Sequence, residues 1–150
     1  MIKIKPALPE NSEEVSLMID ALFKEIGHIM PDFGGKHINN LYKDLLNKIK
    51  IFIAIDESDK PAGIITVTES AGFYAKGYYG VINELYVLPE YRSQGTGKLL
   101  IDEVKKLAES KSWTRLEVTT PDRSHRDRTV KFYEKEGFIE IGPRLKFELY

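Results

Sequence analysis

Three groups of residues in this chain are of types and spacing that can do chemistry. The first is Tyr91-Arg92-Ser93-Gln94-Gly95-Thr96-Gly97-Lys98, which joins an apolar, strand-like run (Val81 to Leu88) to an amphipathic helical run ending near Lys111. A glycine loop between a strand and a helix turns backbone N–H groups outward at the positive end of the helix dipole, where a phosphate or pyrophosphate can be held. The glycines let backbone approach a ligand closely, and Arg92 and Lys98 add positive charge on either side. The second is Glu84. Strand alternation sets it on one face with Ile82, Tyr86 and Leu88, where partial burial raises a carboxyl's pKa toward the range of a working base. The third is Tyr133, within Lys131-Phe132-Tyr133-Glu134. A phenol, with an ordinary pKa of about 10, keeps a proton at neutral pH that it can donate or share.

The residues themselves set two familiar phosphate loops aside. A P-loop requires glycine where Arg92 stands and Ser or Thr where Leu99 follows Lys98; a dinucleotide fingerprint requires a third glycine where Leu100 stands. What remains is Arg-x-x-Gly-x-Gly after Glu84-Leu85-Tyr86-Val87 and the turn Pro89-Glu90. This resembles the acyl-CoA-binding signature of the GCN5-related N-acetyltransferase (GNAT) superfamily. Further along, Lys131-Phe132-Tyr133-Glu134-Lys135-Glu136-Gly137-Phe138 resembles that family's FYxKxGF segment.

The surrounding elements must position these groups. Met1 to Pro6 alternates like a first strand. Asn11 or Ser12 can cap a helix whose buried face carries Val15, Met18, Ile19, Leu22, Phe23 and Ile26, and Gly27 ends it. Residues 28–36 read as a loop, and a second helix over about 37–49 carries Ile38, Leu41, Tyr42, Leu45 and Leu46. Ile51–Ile55 and Ala62–Thr68 form a hairpin, and residues 70–79 its successor's aromatic tip. A strand to Leu88, the glycine loop and a helix with Leu100, Ile101, Val104, Leu107 and Ala108 on one stripe follow. Trp113 to Thr120 is a strand with Leu116 and Val118 on one face and Arg115, Glu117 and Thr119 on the other. A short helix near 127–136 ends at Gly137, and residues 138–141 and 145–149 close the chain as a hairpin around Gly142-Pro143. The order β-α-α-β-β-β-α-β-α-β-β predicts an α/β fold in a single domain over 1–150. It is a GNAT-like mixed sheet of about seven strands with helices on both faces.

The resemblance implies an acetyl-CoA-dependent N-acetyltransferase that moves the acetyl group directly to a primary amine of a small molecule or protein. It implies that backbone groups of Leu85, Tyr86 and Val87 line the pantetheine arm. The Val87 amide then polarises the thioester carbonyl, and amides of Ser93, Gln94, Gly95, Thr96, Gly97 and Lys98, beside Arg92, hold the pyrophosphate. Tyr133 falls where the family's general-acid tyrosine falls; spacing alone fits a ring that packs a short helix onto the sheet. Glu84 falls where members often carry a base, and a solvated or ion-paired carboxylate fits the spacing equally. Arg126 and Thr129 stand where many members have Asn and Ala. Arg126, in the basic stretch Arg123–Arg128, is placed either to meet the coenzyme's 3′-phosphate or an anionic substrate, or simply to begin a solvated helix. Phe33, Phe73, Tyr74, Tyr78 and Tyr79 are candidates for an acceptor wall or for plain sheet cover.

Composition narrows the classes. A net charge of −1 argues against general nucleic-acid binding, and the absence of cysteine excludes disulfides, thiolate metal sites and a cysteine acyl-enzyme. His28, His37 and His125 have no metal-ligand spacing, so no metal is expected. No run approaches the roughly eighteen apolar residues of a membrane span, and the N-terminus lacks a signal-peptide pattern, which makes the cytoplasm the expected location. The family also admits a homodimer. Two competing readings are a non-catalytic acyl-CoA-binding sensor or interaction module, which binds coenzyme without turnover, and a nucleotide-binding protein that prefers ATP.

Overall fold

The computed structural model describes residues 1–27, 35–120 and 126–149, with the side chains of Arg126 and Asp127 outside the described set. Five strands and four α-helices run in the order β1 (Lys3–Pro6), α1 (Ser12–Glu25), α2 (Gly35–Leu45), β2 (Ile49–Ile55), β3 (Pro61–Gly72), β4 (Gly77–Val87), α3 (Thr96–Ser110), β5 (Leu116–Val118) and α4 (Arg126–Lys135). The chain divides into two compact units, Met1–Val118 and Thr119–Tyr150.

The first unit is a single sheet in the order β1-β2-β3-β4-β5, antiparallel except for the parallel pairing of β5 with β4. One face carries Ile51, Ile53, Ile55, Ile64 and Tyr86 against Val15, Met18 and Ile19 of α1 and Ile38 and Tyr42 of α2. The helical spacing of those apolar residues gives each helix one stripe to bury. The opposite face receives α3, whose Leu100, Ile101 and Val104 are fully buried. Leu100 sits so close over Gly63 that a Cβ there would stand 3.3 Å from its Cδ1 and 2.8 Å from the Tyr86 carbonyl oxygen. Helices on both faces are therefore present within this unit.

Several expectations need correction. The helix over 37–49 begins at Gly35 and stops at Leu45, and β3 and β4 run past the expected aromatic tip, because Ser70, Ala71 and Gly72 pair with Tyr79, Tyr78 and Gly77. Asn11 stands at the N-cap of α1 but does not cap it. Its Oδ1 accepts the Leu8 N–H at 2.8 Å and so closes the preceding 3₁₀ turn instead. Among the described residues the sheet has five strands, not about seven. Residues 138–141 and 145–149 alternate as strands do, yet no ladder forms there and Ile139, Ile141, Leu145, Phe147 and Leu149 are exposed. Alternation fixes which side chains would share a face; only pairing with a neighbouring backbone makes a strand.

The second unit contains α4, terminated as expected by Gly137 at φ 97°. The Phe138 N–H donates to the Tyr133 carbonyl at 2.9 Å and the Gly137 N–H to Glu134 at 3.0 Å, a glycine-based C-terminal cap.

Candidate active site

The site grows from an irregularity in β4. Thr66 of β3 pairs with Glu84, but the next residue, Val67, pairs with Ile82, so Asn83 is an extra residue in β4. Such a bulge reverses which side chains share a face across it. Ile82 therefore points to the α3 face, buried beside Val67, whereas Glu84 joins Ile64, Thr66 and Tyr86 on the face of α1 and α2. The sequence expectation that Glu84 shares a face with Ile82 fails for this reason, while its grouping with Tyr86 stands.

On that face Glu84 is half-buried and bonded to one hydroxyl twice. Thr66 Oγ1 donates to Glu84 Oε1 at 2.5 Å and accepts the Glu84 backbone N–H at 3.0 Å. Burial pushes the Glu84 carboxyl above the ordinary carboxylate range, and the Thr66 hydroxyl, by bonding to the ionised oxygen, partly opposes the shift. Thr66→Val should therefore raise the pKa further and leave the Glu84 N–H without its acceptor, at a cost of about 1–3 kcal/mol. Thermal unfolding and the acid limb of a kcat/KM profile, moved to higher pH, check the two effects.

β4 also presents an open edge. The Leu88 N–H donates to the Ala62 carbonyl at 2.9 Å, so ladder alternation turns the Tyr86 peptide groups toward β3 and those of Leu85 and Val87 away from it. Of the three residues expected to line a pantetheine arm, two thus offer backbone outward; Tyr86 contributes its buried ring instead. β5 pairs with Gly80, Val81 and Ile82 only, and among the described residues no strand continues along Asn83–Val87. Trp113 and Leu116 close against Gly80, where an added Cβ would lie 2.5 Å from the indole ring, and this holds the paired end of β4 shut while the other end stays open.

The glycine loop follows directly. Gly95 is the N-cap of α3 at φ 82°, with Ser93 also left-handed at φ 60°, and the helix has no side-chain cap. The first internal bond is from Leu99 N–H to Gly95 at 3.1 Å, so the amides of Thr96 and Gly97 open the helix without intrahelical partners. Buried Thr96 fixes the turn through its hydroxyl to the Tyr91 carbonyl, and Gln94 holds the Glu90 carbonyl. The side chain of Lys98 lies along the helix toward Asp102, at 3.3 Å. Arg92 turns away from the loop: its guanidinium bonds both oxygens of Glu25, at 2.7 and 2.6 Å, and its Nε donates to the Val87 carbonyl at 2.9 Å.

A polar and aromatic strip extends from Glu84 toward the end of the sheet. The Tyr74 hydroxyl lies 2.9 Å from that of Tyr79 and 3.0 Å from Glu117 Oε2, with the Arg115 guanidinium 4.7 Å from the Tyr74 ring centroid and paired to Glu117 at 2.6 Å. Hydrogen bonding to Tyr79 is the first cause that pushes the Tyr74 phenol up to about 12. Phe73 and Tyr78 are exposed. Glu117 and Arg115 were visible in the sequence only as the polar side of a strand; β5's parallel register with Val81 is what brings them to these tyrosines.

Tyr133 belongs to the second unit. It is buried, with Phe132 and Phe138 edge-on at 5.2 and 5.3 Å, and burial raises its phenol well beyond the usual value. Such a phenol is a proton donor across the whole neutral range. The side chains of Phe33, His28, His125 and Arg126 lie outside the described residues. Among those described, no group of acidic and histidine side chains stands together to hold a metal ion, and no helix is long and apolar enough to cross a membrane.

The open edge of β4 lies just past the bulge at Asn83 and runs on to an uncapped, glycine-turned helix start in an α/β fold. Residues 47–140 match the acetyltransferase (GNAT) domain family, and this chain belongs to it. A peptidyl-lysine N-acetyltransferase of Salmonella typhimurium, YjaB, is 26% identical over 105 residues, which is 70% of this chain and 61% of that protein. Among solved structures, a transcriptional regulator from Bacillus halodurans has a TM-score of 0.83 at 19% identity, with 99% of this chain and 100% of that one covered. A predicted acetyltransferase from Clostridium acetobutylicum, solved with acetyl-CoA, has a TM-score of 0.79 at 18% identity, covering 99% and 97%. These two likenesses show the shared fold.

Proposed function

We propose that this protein transfers an acetyl group from acetyl-CoA directly to a primary amine. The observation that carries the reading is the continuity of the outward Leu85 and Val87 peptides with the open amides of Thr96 and Gly97. An extended amide-bearing arm adds to a strand edge as a further strand does, and a pyrophosphate suits a helix N-terminus. When bound, acetyl-CoA supplies the activated acyl carbon. The outward Val87 N–H is the donor for the carbonyl oxygen on which charge develops. Glu84, on the same strand and with a raised pKa, draws the proton from the incoming ammonium, and Tyr133 gives a proton to the departing sulfur. Arg126, the first residue of α4, remains a candidate for the 3′-phosphate.

The acceptor is a primary amine on a peptide lysine or a small molecule. The likeness to a peptidyl-lysine enzyme favours the peptide, and the aromatic strip of Tyr74 and Tyr79 suits the alkyl part of either. The test is free-thiol release from acetyl-CoA against lysine peptides, polyamines, amino acids and aminoglycosides, with the product identified by its gain of one acetyl group. Thiol release that depends on one amine class supports the reading. Tight coenzyme binding with no turnover across the panel would favour a sensor module instead.

A further inference from the structure

Glu25 is an acid in the last turn of α1, the end at which the helix dipole disfavours negative charge. A carboxylate there needs an external cation, and Arg92 supplies it with a two-pronged bond, Nη1 to Oε1 at 2.7 Å and Nη2 to Oε2 at 2.6 Å. The same guanidinium lies 5.4 Å from the Tyr86 ring centroid and gives the N–H of its third nitrogen, Nε, to the Val87 carbonyl at 2.9 Å. The pair is part-exposed, with side chains 28% and 44% accessible, and such pairs add little to global stability. What it does is geometric. A planar fork held through two of its nitrogens by one carboxylate has the N–H of the third, Nε, fixed in direction. That direction is the last outward carbonyl of β4, one residue before the turn into the glycine loop.

We propose that Glu25 is a positioning residue for the coenzyme: by holding Arg92 it fixes the Val87 carbonyl and keeps the outer edge of β4 in the conformation that receives the pantetheine arm. The proposal rests on the acetyl-CoA reading above. Arg92 thereby ties the end of α1 to the start of the coenzyme loop, a role that the Arg-x-x-Gly-x-Gly pattern alone does not disclose.

Electrostatics and positioning make opposite predictions. Removing a negative charge beside a site for a polyanion should tighten binding, whereas losing the positioning contact should weaken it. In the full chain, Glu25→Ala is expected to weaken acetyl-CoA binding roughly tenfold by calorimetric titration, as for residues coupled through one contact network. Glu25→Gln, which keeps one acceptor for the guanidinium, is expected to lie between Glu25→Ala and the unsubstituted protein. The melting temperature should move by no more than a few degrees in either. In the coenzyme-free protein, the ¹³C resonance of the Val87 carbonyl should shift in Glu25→Ala, which reports the lost hydrogen bond directly. Unchanged or tighter binding, or an unmoved Val87 resonance, would overturn the proposal and leave the acetyltransferase reading intact. If the unsubstituted protein does not bind acetyl-CoA, that reading fails and takes the proposal with it.

Discussion

Tyr133→Phe is expected to lower kcat about a hundredfold while leaving the KM for acetyl-CoA and the melting temperature close to those of the unsubstituted protein. The expectation follows from what the substitution removes. The Tyr133 ring is buried between Phe132 and Phe138, and phenylalanine keeps that packing. Only the hydroxyl is lost, and burial has made it a group that stays protonated throughout the neutral range. If that proton meets the departing sulfur, its loss falls on the chemical step, where a positioned acid contributes roughly 10²–10⁴-fold. Steady-state kinetics beside thermal unfolding separate the two roles. A kcat within about threefold of the original, with an unchanged melting temperature, would leave Tyr133 as a packing residue only.

Glu84→Gln is expected to cost activity and gain stability, and the opposite signs make it diagnostic. A base must be ionised to work, so kcat/KM should rise with pH through the raised pKa of Glu84; glutamine removes that limb and lowers the plateau about ten- to a hundredfold. For stability the sign runs the other way. The folded state holds the Glu84 proton more tightly than the unfolded chain. Between the ordinary glutamate pKa and the raised folded value, the native state therefore binds more protons and stability falls as pH rises. Above that window the ionised, half-buried carboxylate is a standing penalty, which glutamine lacks while still accepting from Thr66. Chemical unfolding at neutral pH should show Glu84→Gln at least as stable as the parent. A less stable variant with unchanged kinetics would mark Glu84 as a structural acceptor for Thr66 rather than a base.

The legibility of the sequence differed by the kind of signal. The glycine loop and the start of α3 were readable because glycine between an apolar run and an amphipathic one supplies the left-handed backbone a strand-to-helix turn needs, which Gly95 adopts at φ 82°. Face assignments along β5 were readable because its alternation is uninterrupted. The face of Glu84 was not, because one extra residue at Asn83 inverts the period-two count and no residue type announces a bulge. Arg92 illustrates a different limit. Its charge and position beside the loop read as phosphate binding, whereas its guanidinium is engaged by Glu25, far away in the chain, and by a backbone carbonyl. Partners at that separation are set by the packing of α1 on the sheet and leave no local pattern. The closing segment shows the converse: Ile139, Ile141, Leu145, Phe147 and Leu149 alternate well, and alternation without a paired neighbour produced no strand.

The central claim, that the β4 edge and the start of α3 form an acyl-coenzyme site, is tested most directly by thermal unfolding with acetyl-CoA, CoA and ATP in parallel. A ligand at about a hundred times its Kd stabilises the native state by about 2.7 kcal/mol, which for a chain of this size is a shift of roughly 5–11 °C. Acetyl-CoA and CoA are predicted to give that shift and ATP to give none. No shift with either coenzyme species at millimolar concentration, or an equal shift with ATP, would contradict the account.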